Sequence, residues 1–208
     1  MSEAVSLLAL ETDVPEGTLS REHYLAFSMA ASSATGKSAA LLEKISRQTG
    51  VATRRSTLID PEVSNGHAEI PFYQNGPGAP STSARMQRYE EDAPRLAQRV
   101  GGKALASAAI DPASITHLVT FTCTGFAAPG WEIDLVDALG LPENVQRVHI
   151  GFMGCHAAIN ALRTAHAFAL SRPEARVLTV GTELCSLHYQ RDLNRDSVLP
   201  NALFGDGA

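Results

Sequence analysis

Val148-His149-Ile150-Gly151-Phe152-Met153-Gly154-Cys155-His156-Ala157-Ala158-Ile159-Asn160-Ala161-Leu162-Arg163 changes character at its middle. The opening residues read as an apolar strand, glycines close it, and an alanine-rich helical run begins at Cys155. The sulfur is therefore expected at a sharp turn facing a helix N-terminus. There the positive end of the helix dipole, aided by a basic neighbour, lowers a thiol pKa from about 8.5 toward about 7. A thiolate so formed can take an acyl group from a thioester and hold it. A buried structural cysteine gives the same local pattern, because free cysteines are among the most buried residues.

Composition narrows the classes. The chain has 208 residues, of which 44% are hydrophobic, enough for a sizeable core in one large domain or two small ones. A net charge of -5 and a pI near 5.8 argue against nucleic-acid or membrane-surface partners. Anionic substrates would need a local basic patch. The three cysteines, Cys123, Cys155 and Cys185, contain no C-x-x-C pair, so neither a disulfide framework nor a zinc site is suggested. A reducing, cytoplasmic setting is expected. The N-terminus lacks the basic start of a signal peptide and no apolar run approaches a membrane span, so a soluble protein that is not exported is expected.

Along the chain, Val5 to Leu10 reads as a first strand, and Ser20 opens a helix backed by Glu22 and His23. A second helix is expected from Lys37 to Gln48. Residues 60 to 82, rich in proline and glycine, read as a surface excursion. A long helical region from Ser83 to Ala109 follows, with Pro94 and Gly101-Gly102 placed to bend or split it. From there strands at 115–122, 147–152 and 176–181 alternate with helices at 131–139 and 155–170. Such alternation implies a parallel or mixed sheet with helices on both faces and functional groups at the carboxyl ends of its strands. Cys155 falls at such an end.

Three blocks carry a wider resemblance: the Cys155 run, Thr122-Cys123-Thr124-Gly125-Phe126-Ala127-Ala128-Pro129-Gly130, and Asn201-Ala202-Leu203-Phe204-Gly205-Asp206-Gly207-Ala208. Together they resemble the type III polyketide synthases, the chalcone and stilbene synthase family, in order and in approximate spacing. The resemblance covers essentially the whole chain and matches the N-terminal half of a family member. It implies a thiolase-like α/β fold, in which two similar halves each supply a mixed sheet, with residues 1–208 forming one of them. It also implies a homodimer without metal or organic cofactor, whose substrates are coenzyme A thioesters. In that family an acyl-CoA starter is loaded onto a cysteine, malonyl-CoA is decarboxylated, and the enolate attacks the bound thioester before cyclisation.

Carried over residue by residue, the resemblance makes Cys155 the acyl-accepting nucleophile and Phe204 the gatekeeper between the coenzyme A tunnel and the acyl cavity. Without it, Phe204 reads as a core aromatic before a glycine turn. Lys44 and Arg47 fall near the family's coenzyme A contacts, where cationic groups can pair with phosphate. Arg54 and Arg55 are candidates for the same patch or for solvated surface. Cys123 and His188 fall where plant chalcone synthases usually have pocket threonines, and Ala128 where they carry a methionine, so a cavity unlike the plant one is expected. A pyrone, resorcinol or other phenolic ring is the expected kind of product. The family's oxyanion-hole histidine and asparagine belong to the C-terminal half, which this chain is expected to lack, and none of its seven histidines takes that role. His156 adjoins the cysteine, but successive helical positions do not face each other.

Two other readings compete. A ketoacyl synthase III-like condensing enzyme of fatty-acid synthesis shares the fold and the acylated cysteine, while a truncated half that binds a partner without catalysis follows from the apolar face such a half would expose. Metal binding by His149, Cys155 and His156 lacks the usual ligand spacing. Serine hydrolase chemistry lacks a G-x-S-x-G elbow.

Overall fold

The computed structural model describes residues 4–63, 70–73 and 79–208. In chain order the regular elements are β1 (Thr18–Ser20), α1 (Arg21–Ala31), α2 (Gly36–Gln48), β2 (Thr53–Arg55), α3 (Thr82–Ser107), β3 (His117–Thr122) and α4 (Glu132–Leu139). These are followed by β4 (Gln146–Gly151), α5 (Ala157–Ser171), β5 (Val177–Gly181), β6 (Glu183–Leu184), α6 (Arg195–Leu203) and β7 (Asp206–Gly207). The chain divides into two compact units: one from the residues up to Asp13, Arg88–Glu183 and Ala208, the other from Val14–Gln87 and Leu184–Gly207.

The first unit is built on a parallel sheet of order β4-β3-β5. Its central strand is buried along nearly its whole length, as a strand covered on both faces must be. The register sets Thr122 opposite Gly151 and Phe121 opposite Gly181, which brings the carboxyl ends of all three strands level. On one face α5 packs through Ala157 and Ala161, small enough for close approach, and through Phe168, which stacks on His117 at 4.4 Å between ring centroids. Helix α3 covers the other face with Tyr89, Ala93, Leu96, Ala97 and Val100.

Helix α3 runs unbroken through both expected break points. Proline in a helix interior costs about 3 kcal/mol, but the buried stripe of α3 continues on both sides of Pro94 and holds the two turns in line. Gly101 serves packing: a Cβ there would lie 3.0 Å from Leu139 of α4. The expected strand at Val5–Leu10 does not form. Leu7, Leu8 and Leu10 are exposed and the segment has no ladder partner among the described residues, so its apolar pattern acquires no sheet to join. Asp13 instead ties this arm to α3 through Arg99 at 2.7 Å and Lys103 at 3.0 Å.

In the second unit, α1 begins where Ser20 Oγ accepts from the His23 amide at 3.2 Å, the expected cap. β1 and β2 pair antiparallel. The core gathers Leu19, Phe27, Ile59, Ile70, Tyr73 and Tyr189, with the Phe27 and Tyr189 centroids 4.9 Å apart. Within residues 60–82, short 3-10 turns occur at Pro61–Val63 and Pro71–Tyr73. Gly66, Gly76, Pro77 and Gly78 lie outside the described residues. No described helix is long and apolar enough to cross a membrane.

His117 carries a pH signature. Burial, with Arg172 adding repulsion, pushes its pKa below the usual histidine value. The folded state thus favours neutral imidazole, so this contribution to stability is present above about pH 6.5 and is lost as pH falls from there toward the lowered value. Urea midpoints at pH 7.5 and 5.5 should therefore differ less in His117→Gln than in the parent.

Candidate active site

Cys155 sits where the local sequence forces a sharp turn. After β4 the backbone enters the left-handed region at Phe152 (φ 59°) and again at Gly154 (φ 66°). Glycine adopts that conformation freely, but a phenylalanine there is strained, and such strain concentrates at functional sites. A 3-10 turn, Gly154–His156, then carries Cys155 directly into the N-terminus of α5. The cysteine is exposed, which removes the buried structural reading. Phe152, 84% exposed, leans on Phe126 with centroids 5.8 Å apart. His156 is held locally: Nδ1 donates to the Met153 carbonyl at 2.6 Å and Nε2 accepts from Asn160 at 3.2 Å.

The adjacent strand end supplies a second thiol. Cys123 is the first residue past β3, and its side chain is within hydrogen-bonding reach of Cys155. Although the residue as a whole is exposed, burial of its thiol, together with the Glu183 carboxylate and then Cys155, pushes its pKa up to about 12. Cys123 therefore favours its neutral S–H form beside Cys155.

Glu183 organises this loop and was not singled out from the sequence. One carboxylate oxygen accepts from the Cys123 amide at 2.8 Å; the other accepts from Thr124 Oγ1 at 2.5 Å and Thr122 Oγ1 at 3.2 Å. The signal available was its place two residues beyond β5, level with Cys123 across the sheet. Gly125 lets the loop lie flat on Tyr89, where an added Cβ would come within 2.2 Å of the ring. Because Tyr89 is fully buried and bonded to the Thr182 carbonyl, it cannot yield. Gly125→Ala should cost about 1–3 kcal/mol of stability, read as a lower urea midpoint.

The other candidates belong to the second unit. Phe204 caps α6 with an extended backbone and is half-exposed. Lys44 and Arg47 stand on the exposed side of α2, which neighbours α6. Arg47 is engaged by Glu43 at 2.9 Å in a solvent-exposed pair, an easily displaced partner if phosphate approaches. His188 closes the short 3-10 turn Cys185–His188 and is half-buried. Arg54 does not join a basic surface patch: it is 6% exposed, packed over Tyr24 at 3.7 Å, while Arg55 points outward to the Glu16 carbonyl. Strand alternation explains the difference, since neighbouring residues face opposite ways. Asp206 is buried, and its carboxylate accepts from the Thr57 amide, the Ser186 amide and Ser186 Oγ at 2.7–2.8 Å. Among the described residues no group of three or more histidine, cysteine or carboxylate side chains is gathered to hold a metal.

An exposed cysteine at a strained turn, at the carboxyl ends of a parallel sheet and opening a helix, makes this loop the candidate site of an α/β protein. The same architecture occurs in solved structures. The C-terminal type III polyketide synthase domain of Steely1, a type I/III hybrid from Dictyostelium, matches with a TM-score of 0.84 and 28% identity, over 97% of this chain and 53% of that one. CsyB in complex with CoA-SH matches with a TM-score of 0.81 and 27% identity, over 95% of this chain and 52% of that one. The fold is therefore thiolase-like. The family model for the N-terminal domain of chalcone and stilbene synthases matches residues 2–208, and the chain belongs to that family. An alpha-pyrone synthesis polyketide synthase-like protein of Mycobacterium tuberculosis is 36% identical over 168 residues, covering 80% of this chain and 40% of that protein. The chain thus spans about two fifths of that relative's length and about half of the two solved chains.

Proposed function

We propose that this chain is the acyl-accepting half of a type III polyketide synthase. The Cys155 thiolate attacks the carbonyl of an acyl-CoA, a thioester to Cys155 forms, and coenzyme A leaves as its thiolate. Malonyl-CoA then loses carbon dioxide, and the resulting enolate attacks the Cys155 thioester, releasing the cysteine. Extension and cyclisation follow. The observation that carries this reading is the exposed Cys155 at the strained strand-to-helix turn, within a chain of this family. Donors for the oxyanion come from backbone amides near the turn and from the histidine and asparagine that the family places in its second half.

The face of α5 turned away from the sheet supports a second half. Ile159, Leu162 and Leu170 recur there at helical spacing and are exposed, next to exposed Phe152 and Met153. The working enzyme in this proposal is a homodimer without resident metal or organic cofactor, in the cytoplasm, a setting in keeping with three cysteines that contain no C-x-x-C pair. Its test is incubation of the natural full-length protein with a medium-chain acyl-CoA and malonyl-CoA. Free coenzyme A, carbon dioxide and a cyclised product are expected. Turnover only with a malonyl-acyl carrier protein would favour the ketoacyl synthase III-like reading, and absence of turnover with either donor would favour a non-catalytic partner-binding half.

A further inference from the structure

We propose that Arg54 is a positioning residue for Phe204, its buried guanidinium joining Tyr24 to fix the last turn of α6, which Phe204 caps. This rests on the reading of Phe204 as the gatekeeper at which decarboxylation occurs.

The last carbonyls of a helix have no intrahelical donors and carry the negative end of its dipole. Here two consecutive ones are taken from outside the helix. Arg54 Nη2 donates to the Ala202 carbonyl, and the Tyr24 hydroxyl donates to the Asn201 carbonyl. The two side chains are themselves locked together, the guanidinium lying 3.7 Å from the Tyr24 ring centroid. Phe204 comes two residues after Ala202, its amide bonded to the Pro200 carbonyl at 3.0 Å.

Beyond Phe204 the chain is pinned again. The Asp206 carboxylate holds the Thr57 and Ser186 amides, and the Arg55 carbonyl lies so near Gly205 that a Cβ there would come within 3.2 Å of it. Phe204 is 49% exposed, so the backbone on either side contributes more to its placement than a closed packing shell does. The cost of the arrangement argues for a role beyond stability. Arg54 is 6% exposed, yet its Nε and Nη1 find no acceptor among the described residues. A cation buried with idle donors is a poor way to gain stability alone, because an apolar side chain of similar volume often does as well or better.

The test uses the natural full-length protein and follows three readouts: malonyl-CoA decarboxylation, acyl loading of Cys155, and melting temperature. Arg54→Met is expected to lower decarboxylation about tenfold while loading stays within about twofold, since sub-ångström misplacement of a group facing the reacting atoms is costly. Arg54→Lys, which keeps the charge and a donor for the Ala202 carbonyl, should restore most of that loss. In a Phe204→Ala background, Arg54→Met should cost nothing further. Tyr24→Phe, which deletes one hydroxyl, should give a smaller loss of about threefold and serves if Arg54→Met does not fold.

An equal loss from Arg54→Met with and without Phe204 would overturn the proposal. So would decarboxylation and loading falling together with the melting temperature. If Arg54→Met does not fold, a Tyr24→Phe enzyme with parental decarboxylation would also overturn it. If Phe204→Ala itself leaves decarboxylation unchanged, the gatekeeper reading fails and takes the inference with it. A large effect of Phe204→Ala beside a silent Arg54→Met rejects the inference alone.

Discussion

Replacing Cys155 with Ala is expected to abolish acyl loading and to leave the fold intact. The side chain is exposed and packs against no core, so its removal opens no cavity and the melting temperature should stay within about 1 °C of the parent. Loading should be lost completely because in the proposed mechanism the Cys155 sulfur supplies the bond that holds the acyl group. Cys155→Ser should retain about a hundredth of the loading rate or less, the hydroxyl being a far weaker nucleophile near neutral pH without an adjacent base. Cys123→Ser is the informative companion. It keeps a neutral donor beside Cys155, so loading should fall by no more than about tenfold. Loading that survives in Cys155→Ala, or vanishes in Cys123→Ser with Cys155 present, would exchange the roles of the two thiols. Intact-mass spectra of each variant after exposure to an acyl-CoA decide between these outcomes.

The largest effect on stability is expected at Asp206. Its carboxylate takes the amides of Thr57 and Ser186 and the Ser186 hydroxyl in a buried setting, joining three separate stretches of the second unit. Asp206→Ala strands these donors away from water and leaves a cavity as well, at a cost of about 3 kcal/mol. Urea unfolding should show the midpoint falling with little change in slope. A variant within about 0.5 kcal/mol of the parent would mean that the three stretches hold without the carboxylate.

Much of the first unit was legible because its residues speak for local structure. The segment His117–Thr122, with its apolar residues interleaved with threonines, read as a buried strand and is one in the centre of a parallel sheet, and the glycines before Cys155 announced the turn that the backbone makes. Val5–Leu10 misled because an apolar run becomes a strand only when a neighbouring strand offers its edge. Pro94 misled in the opposite direction, since tertiary burial on both sides of it outweighs a local breaking signal. At the site, Cys155 could be singled out from its own neighbours. Glu183 could not, because its importance comes from three partners some sixty positions away that only the register of β3 and β5 brings to it. Arg54 and Arg55 were indistinguishable as sequence, and it took a short strand to bury one and expose the other.

The most direct test of the central claim is to locate the acyl group. The natural full-length protein is incubated with a medium-chain acyl-CoA, digested under mildly acidic conditions that spare thioesters, and its cysteine peptides are sequenced by mass spectrometry. The expected result is one acyl group on the peptide that contains Cys155, with Cys123 and Cys185 unmodified. An acyl group found on Cys123 or Cys185 instead, or no cysteine adduct while coenzyme A is released, would contradict the assignment of Cys155 as the acyl acceptor.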